Sequence, residues 1–421
     1  MTKGLKSVFG TGNSLVIAEC QICGSSNLKS ILFLGYLPPV NQLHPIGAKP
    51  KEQPSYPAQL LYCSKCHLVQ LGLAVDPQII FPKEYPYTSG TTKVLRDNFA
   101  DLGKEVRKLI GLKPDDLVVD IGSNDGTLLS NFVQHAKVLG ITPENIGKLA
   151  IAKGIPTVLD YFRIEVVEQV KKEYGKAKIV TAANVFAHIE NVNEVLDNII
   201  SLLRSDGVFI SESHYLYPLI KTVQYDTIYH EHLRYYSLIS LKYLLKRHGL
   251  EIFHIKQIPS HGGSIRVYAA RLGIYKKDKS VSEMLQKEKE AVTNISNLLK
   301  FKDKVVLSKL GLQKILLDIK KKKKRIFGVS APSRASTLIN YLRLDQDILD
   351  CVVEIKGSYK IGKYIPGTLI PILDEQELFN KQPDYALLLS WHIAEELIPK
   401  LKSKGFKGKF IIPLPKPRIV R

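Results

Sequence analysis

The chain has 421 residues, 45% of them hydrophobic, with 60 Lys and Arg against 40 Asp and Glu for a formal charge of +20. That length implies two to three domains with ordinary buried cores. No apolar run reaches the roughly 20 residues of a membrane span, and the start MTKGLKSVFG lacks a secretion signal, so a cytoplasmic protein with no membrane partner is expected. The basic excess calls for an anionic partner: a nucleic acid, an acidic surface or a small anion. Much of it lies in the second half, as in KKKKKR at 320–325, where no aromatic residues interleave as they would on a single-strand-binding surface.

Residues 1–14 read as a loose leader, and residues 15–80 carry two cysteine pairs between short β-like runs. Cys20/Cys23 and Cys63/Cys66 each have the C-x-x-C spacing, and Cys351 stands alone. Without an export signal such pairs favour a metal over disulfides. Two knuckles present four sulfurs tetrahedrally, as structural Zn²⁺ prefers, and a closed four-thiolate shell leaves no position for catalytic water. His67 is a fifth candidate, but the four sulfurs already complete the shell.

After the segment EYPYTSG at 84–90 comes an amphipathic helix over about 93–110. From residue 117 strands alternate with helices: LVVDIG, KVLGI, KIVTAA and GVFISE, the pattern of a parallel sheet covered on both faces. LVVDIGSNDGTLL is a strand, a turn holding Gly122 and Gly126, and a helix start. Glycine lets backbone approach a ligand closely, and the helix start offers free N–H groups. The carboxylates of Asp120 and Asp125 would repel pyrophosphate and suit a cationic ligand bearing an amino group, S-adenosylmethionine, with Asn124 in the same turn a further cofactor-binding candidate. The second strand ends in Thr142, where an acidic residue usually holds a ribose, with Glu144 two positions on. Asn184 and His188 follow the fourth strand, where open α/β sheets bind ligands.

Residues 213–272 form a polar, aromatic insert. YDTIYHEHLRYY holds two histidines, two carboxylates and four tyrosines in twelve residues; of the apolar runs EIFHI and SIRVYAARL that follow, the latter is expected as an antiparallel edge of the same sheet. SHGGSIR offers His261, Ser264 and Arg266 to a sugar or diphosphate. One or two long helices over 280–320 lead to a second alternation: RIFGVSAPSRAST, DCVVEI, YALLLSW and KFIIPL. There Ser330 and Arg334 mark a strand-to-helix turn suited to phosphate, with Lys360 and Lys363 adding positive charge. The expected architecture is α/β throughout: a zinc-binding module (1–80), a class I Rossmann-like methyltransferase domain (81–280) and a second Rossmann-like domain (281–421).

The ordered set of the four-cysteine region, VVDIGSNDGTLL, NVFAHI, IYHEHLRYYS, SHGGSIRVY, SAPSRASTLINY and KIGKYIPGT resembles, over nearly the whole chain, the sugar C-methyltransferases that place a branching methyl group on nucleotide-linked 4-keto-deoxysugars. The resemblance implies His232 as the base that removes a proton beside the ketone, with carbon 3 as acceptor. Glu231 would orient or relay for that ring. Tyr229, His188 and Tyr87 would lie near the sugar, positioned to hydrogen-bond the ketone or enolate oxygen, and the C-terminal domain would help to bind the nucleotide-diphosphate sugar. Such an anion accounts for the basic bias with no nucleic acid. Two other readings stay open: an RNA methyltransferase, which also fits zinc, cofactor and charge, and a non-enzymatic zinc scaffold, for which Thr142 is the support.

Overall fold

The computed structural model describes residues 5–6, 13–49, 52–81 and 88–421; Glu84 and Tyr87 lie outside the described residues. The zinc-module strands Leu28–Leu37, Tyr56–Cys63 and Val69–Leu71 pair antiparallel in one sheet. Arg234–Tyr235 completes that sheet from the far insert, pairing with Gln70 and Val69. Each C-x-x-C is a knuckle closed by backbone: Gly24 N–H donates to Cys20 and His67 N–H to Cys63, both at 2.9 Å. The fifth residue of each knuckle is left-handed, Gly24 at φ 68° and His67 at φ 59°. His67 thus serves a turn, and its Nδ1 lies 2.6 Å from the Tyr62 hydroxyl.

The central sheet runs Thr157–Val158, Lys137–Ile141, Leu117–Ile121, Ala177–Ala183, Leu203–His214, Ser264–Arg271, Leu250–Ile258. The first five strands are parallel and the last two antiparallel. Leu117–Ile121 is buried at every position, as a strand covered on both faces must be. The run SIRVYAARL is antiparallel as expected, but it lies inside the sheet as Ser264–Arg271, and the edge is Leu250–Ile258, which pairs with it. Helix Lys93–Ile110 covers one face with Leu95, Phe99, Leu102 and Val106, spaced by three and four residues.

Two helices, Lys279–Thr293 and Ile295–Lys321, lead to the C-terminal sheet, whose core strands Ile326–Val329, Cys351–Glu354, Pro371–Asp374, Tyr385–Leu388 and Lys409–Ile412 are parallel. At one end Lys363–Tyr364 pairs antiparallel with His44–Pro45, so the zinc module lends this sheet its eighth strand. Strands of two residues have no periodicity to read, which hid both inter-module pairings from the sequence. No helix among the described residues is long and apolar enough to cross a membrane.

Candidate active site

The four cysteine sulfurs lie within 4.8 Å of one another, with Cys20 to Cys66 at 3.3 Å and Cys23 to Cys63 at 3.5 Å. Tetrahedral bonds of about 2.3 Å place thiolates roughly 3.8 Å apart, so the cluster fits zinc. Cys20, Cys63 and Cys66 are fully buried, which suits a closed structural site.

The strands Lys137–Ile141, Leu117–Ile121 and Ala177–Ala183, whose carboxyl ends are expected to face the cofactor, lie side by side in the sheet. Gly122 is left-handed at φ 69°, and a Cβ there would meet the Val185 side chain at 2.4 Å, so only glycine fits. Asn184 is also left-handed and donates its N–H to Glu212 at 2.7 Å. Its Oδ1, with Ser123 Oγ, is buried without a hydrogen-bond partner among the described residues. Two orphaned polar atoms beside a glycine turn suit a polar ligand better than a packed core. Asn124 accepts from Ser89 N–H at 2.8 Å.

Asp125 departs from expectation. Its carboxylate accepts from the Thr127 N–H and hydroxyl and from Gly90 N–H, and it pairs with Lys153 at 3.3 Å. It therefore organises the loop that Gly126 continues, its charge already countered. Thr142 donates to Glu144 at 2.5 Å, holding a carboxylate at the end of the second strand after all.

Asp120 is buried and accepts from Thr181 at 2.6 Å; burial lifts its carboxyl to about 7, against the pull of that hydroxyl. A bound cation favours the charged form. The cofactor should therefore release protons on binding and bind more tightly as pH rises from about 6 to 8. Calorimetry in buffers of different ionisation enthalpy measures this, and Asp120→Asn should remove it; pH-independent binding by the unsubstituted protein would exclude Asp120 from the cofactor's field.

Four imidazoles lie together: His188, His214, His232 and His261. His232 is 4% exposed, and its Nδ1 is 2.9 Å from the Thr227 carbonyl. A carbonyl only accepts, so Nδ1 carries the proton and Nε2 keeps its lone pair. Burial pushes this imidazole down to about 4, keeping it neutral. Ring centroids stand 4.2 Å away for Tyr229, 4.6 Å for His214 and 5.1 Å for His188; His261 lies 5.4 Å beyond His214. Burial raises the Tyr229 phenol well above its ordinary range, preserving its O–H as a donor. The ring of His232 is oriented by the Thr227 carbonyl, whereas Glu231 accepts from Asn41 of the zinc module at 2.6 Å. His214, Thr227 and Asn41 were not singled out in the sequence. His214 ends its strand as His188 follows its own, so the strand-end rule reaches it; nothing marks Asn41.

The two arginines expected to bind anions hold the protein together instead. Arg266 is fully buried: Nε donates to Glu212, one terminal nitrogen to Asp101 and Glu105, the other to Asn98, so all five N–H groups are occupied. Ser264 on the same strand is buried, its hydroxyl donating to the Ser260 carbonyl at 3.3 Å. Arg334 makes a forked pair with Asp226, both contacts 2.8 Å, and reaches Gln224, the His261 carbonyl and His392 Nδ1. Trp391 Nε1 donates to the same Asp226 at 2.7 Å, so this cluster pins the C-terminal domain onto the histidine insert. At the C-terminal strand-to-helix turn Ser330 is left-handed at φ 70°, but Glu354 accepts the Ala331 N–H at 2.7 Å, leaving less room for phosphate. Lys360 donates to the Ala331 carbonyl at 2.6 Å; Lys360 and Lys363 both lie over the Tyr359 ring.

A parallel sheet with a glycine turn at its first strand, closed by an antiparallel hairpin, defines a nucleotide-cofactor methyltransferase fold. Three family models match in order: "Putative zinc binding domain" over residues 20–81, "Methyltransferase domain" over 93–255 and "C-methyltransferase C-terminal domain" over 259–415. The C-methyltransferase NovU of Streptomyces niveus is 32% identical over 412 residues, 96% of this chain and 97% of that one. The chain belongs to the C-methyltransferase family: it is an S-adenosylmethionine-dependent enzyme with a zinc module. Among solved structures, magnesium protoporphyrin IX methyltransferase (ChlM) from Synechocystis PCC 6803 with bound SAM is similar at 15% identity, covering 45% of this chain and 90% of that one with a TM-score of 0.34. An S-adenosylmethionine-dependent methyltransferase from Clostridium acetobutylicum covers 44% and 94% at 13% identity and a TM-score of 0.31.

Proposed function

We propose that the enzyme methylates the carbon beside the ketone of a nucleotide-linked 4-keto-deoxysugar, at C-3 through an enolate. The observation that carries this is the His232 ring: neutral, buried, and fixed by Thr227 so that Nε2 is the basic atom. A carbon acid beside a ketone needs a positioned base together with a donor to the oxygen that gains charge. His232 removes the C-3 proton while Tyr229, held protonated by burial, and His188 donate toward the enolate oxygen. S-adenosylmethionine, when bound, supplies the electrophilic methyl group. Asp120, Gly122, Asn184 and Ser123 line its cleft, and Glu144, set by Thr142, serves the ribose. Glu231 anchors the catalytic loop to Asn41 and lies near Tyr359 and Lys360, toward the C-terminal domain where the nucleotide diphosphate binds.

The similarity to a C-methyltransferase supports carbon as the acceptor. The basic run is partly neutralised within its own domain, Lys324 with Asp384 and Arg325 with Asp350 both at 2.9 Å, which lessens its pull on a nucleic acid. Incubation with S-adenosylmethionine and a panel of nucleotide 4-keto-sugars should yield a product heavier by one methylene in the mass spectrum. In deuterated water without the cofactor, the C-3 hydrogen should exchange. Methylation of RNA with no keto-sugar product would overturn the reading.

A further inference from the structure

His214 has no role in the scheme above. It ends the strand Leu203–His214, and its main chain pairs with Ser264. The residue as a whole is partly exposed, and its ring stands between two other imidazoles, 4.6 Å from His232 and 5.4 Å from His261.

The charge balance of the reaction gives this ring a task. A sulfonium becomes a neutral thioether, a C–H bond becomes a C–CH₃ bond, and one proton is left over. That proton is on His232 Nε2, because Nδ1 stays bound to the Thr227 carbonyl. His232 is buried, so the cation is costly and must discharge before the next substrate can be deprotonated. Tyr229 is nearer, but its phenol is already protonated. His188 is farther, and stacks on Phe81 at 5.6 Å.

We propose that His214 relays the proton from His232 Nε2 to solvent at the end of each turnover. This rests on His232 being the base. One N–H bond breaks at His232, one forms at His214, and water takes the proton from there. The groups facing His214 are His232, His261, His188 and Arg334. Burial above all, and then those of these groups that carry positive charge, disfavour its cation, so the proton passes through this ring and does not stay. His214 touches neither substrate nor cofactor in this scheme; it carries only the leftover proton.

The test is rapid-quench methylation by the full chain. In His214→Asn the first turnover should stay within about threefold of the unsubstituted rate while later turnovers slow about tenfold or more, with free imidazole restoring them. His214→Gln should behave alike, and melting curves show which variant keeps its fold. In the unsubstituted protein, deuterated water should slow later turnovers more than the first. Equal first and later rates in the variants, no rescue by imidazole, or a first turnover lost together with the rest would overturn the relay. Failure of the functional reading itself shows elsewhere, as an unsubstituted protein that makes no methylated sugar.

Discussion

His232→Asn should lower methylation by roughly 10²–10⁴-fold, the range a positioned general base contributes, while cofactor affinity changes little. Asparagine can keep a hydrogen bond to the Thr227 carbonyl at similar volume, so the loop retains its anchor, but its amide is no base at neutral pH. The loss should appear in kcat and equally in the exchange of the C-3 hydrogen with deuterated water, which needs only the base and the enolate donors. Because burial holds His232 near 4, the unsubstituted activity should show no limb at the ordinary histidine value as pH falls through 6.5. The counter-result is a variant that still exchanges the C-3 hydrogen at the normal rate. Cofactor binding by calorimetry and the melting curve separate this loss from misfolding.

What the sequence disclosed follows the range over which each feature is determined. The glycine turn and the C-x-x-C knuckles are local: left-handed backbone at Gly122 and Gly24 is demanded within a few residues, so a short string is enough. The histidine cluster was half legible. His232 and Tyr229 share one dense segment, whereas His214 and His261 reach it only because the strands Leu203–His214 and Ser264–Arg271 pair at their ends. The arginines were misread for a physical reason: an Arg that binds a ligand anion and one neutralised inside the fold are the same letter. Which it is depends on distant carboxylates, Glu212 and Glu105 for Arg266, Asp226 for Arg334. Asp125 likewise meets a countercharge that no short string announces, since Lys153 arrives from a later helix end.

Cys66→Ser should lower zinc from one ion per chain, cut the yield of folded protein and lower activity in whatever remains. A structural zinc site contributes on the order of 10 kcal/mol of apparent free energy in small zinc modules, so losing one thiolate puts the module's fold at risk. The consequence for activity comes through the backbone. Val69–Leu71 begins three residues after Cys66; Leu71 N–H donates to the Leu233 carbonyl at 2.9 Å, and Leu233 N–H to the Ala187 carbonyl at 3.1 Å. Those bonds join the zinc knuckle to the residue after His232 and to the residue before His188. Arg234 strengthens the same seam, donating to the Gln21 side chain within the first knuckle. Zinc bound by the knuckles would hold the two imidazoles in place from a distance through these bonds. Elemental analysis and melting curves of Cys66→Ser measure the first effect, and kcat per zinc-containing chain the second. A variant with full zinc content and unaltered melting would show that three thiolates and water suffice; one that lost zinc yet kept its kcat would break the link between the metal and the histidines.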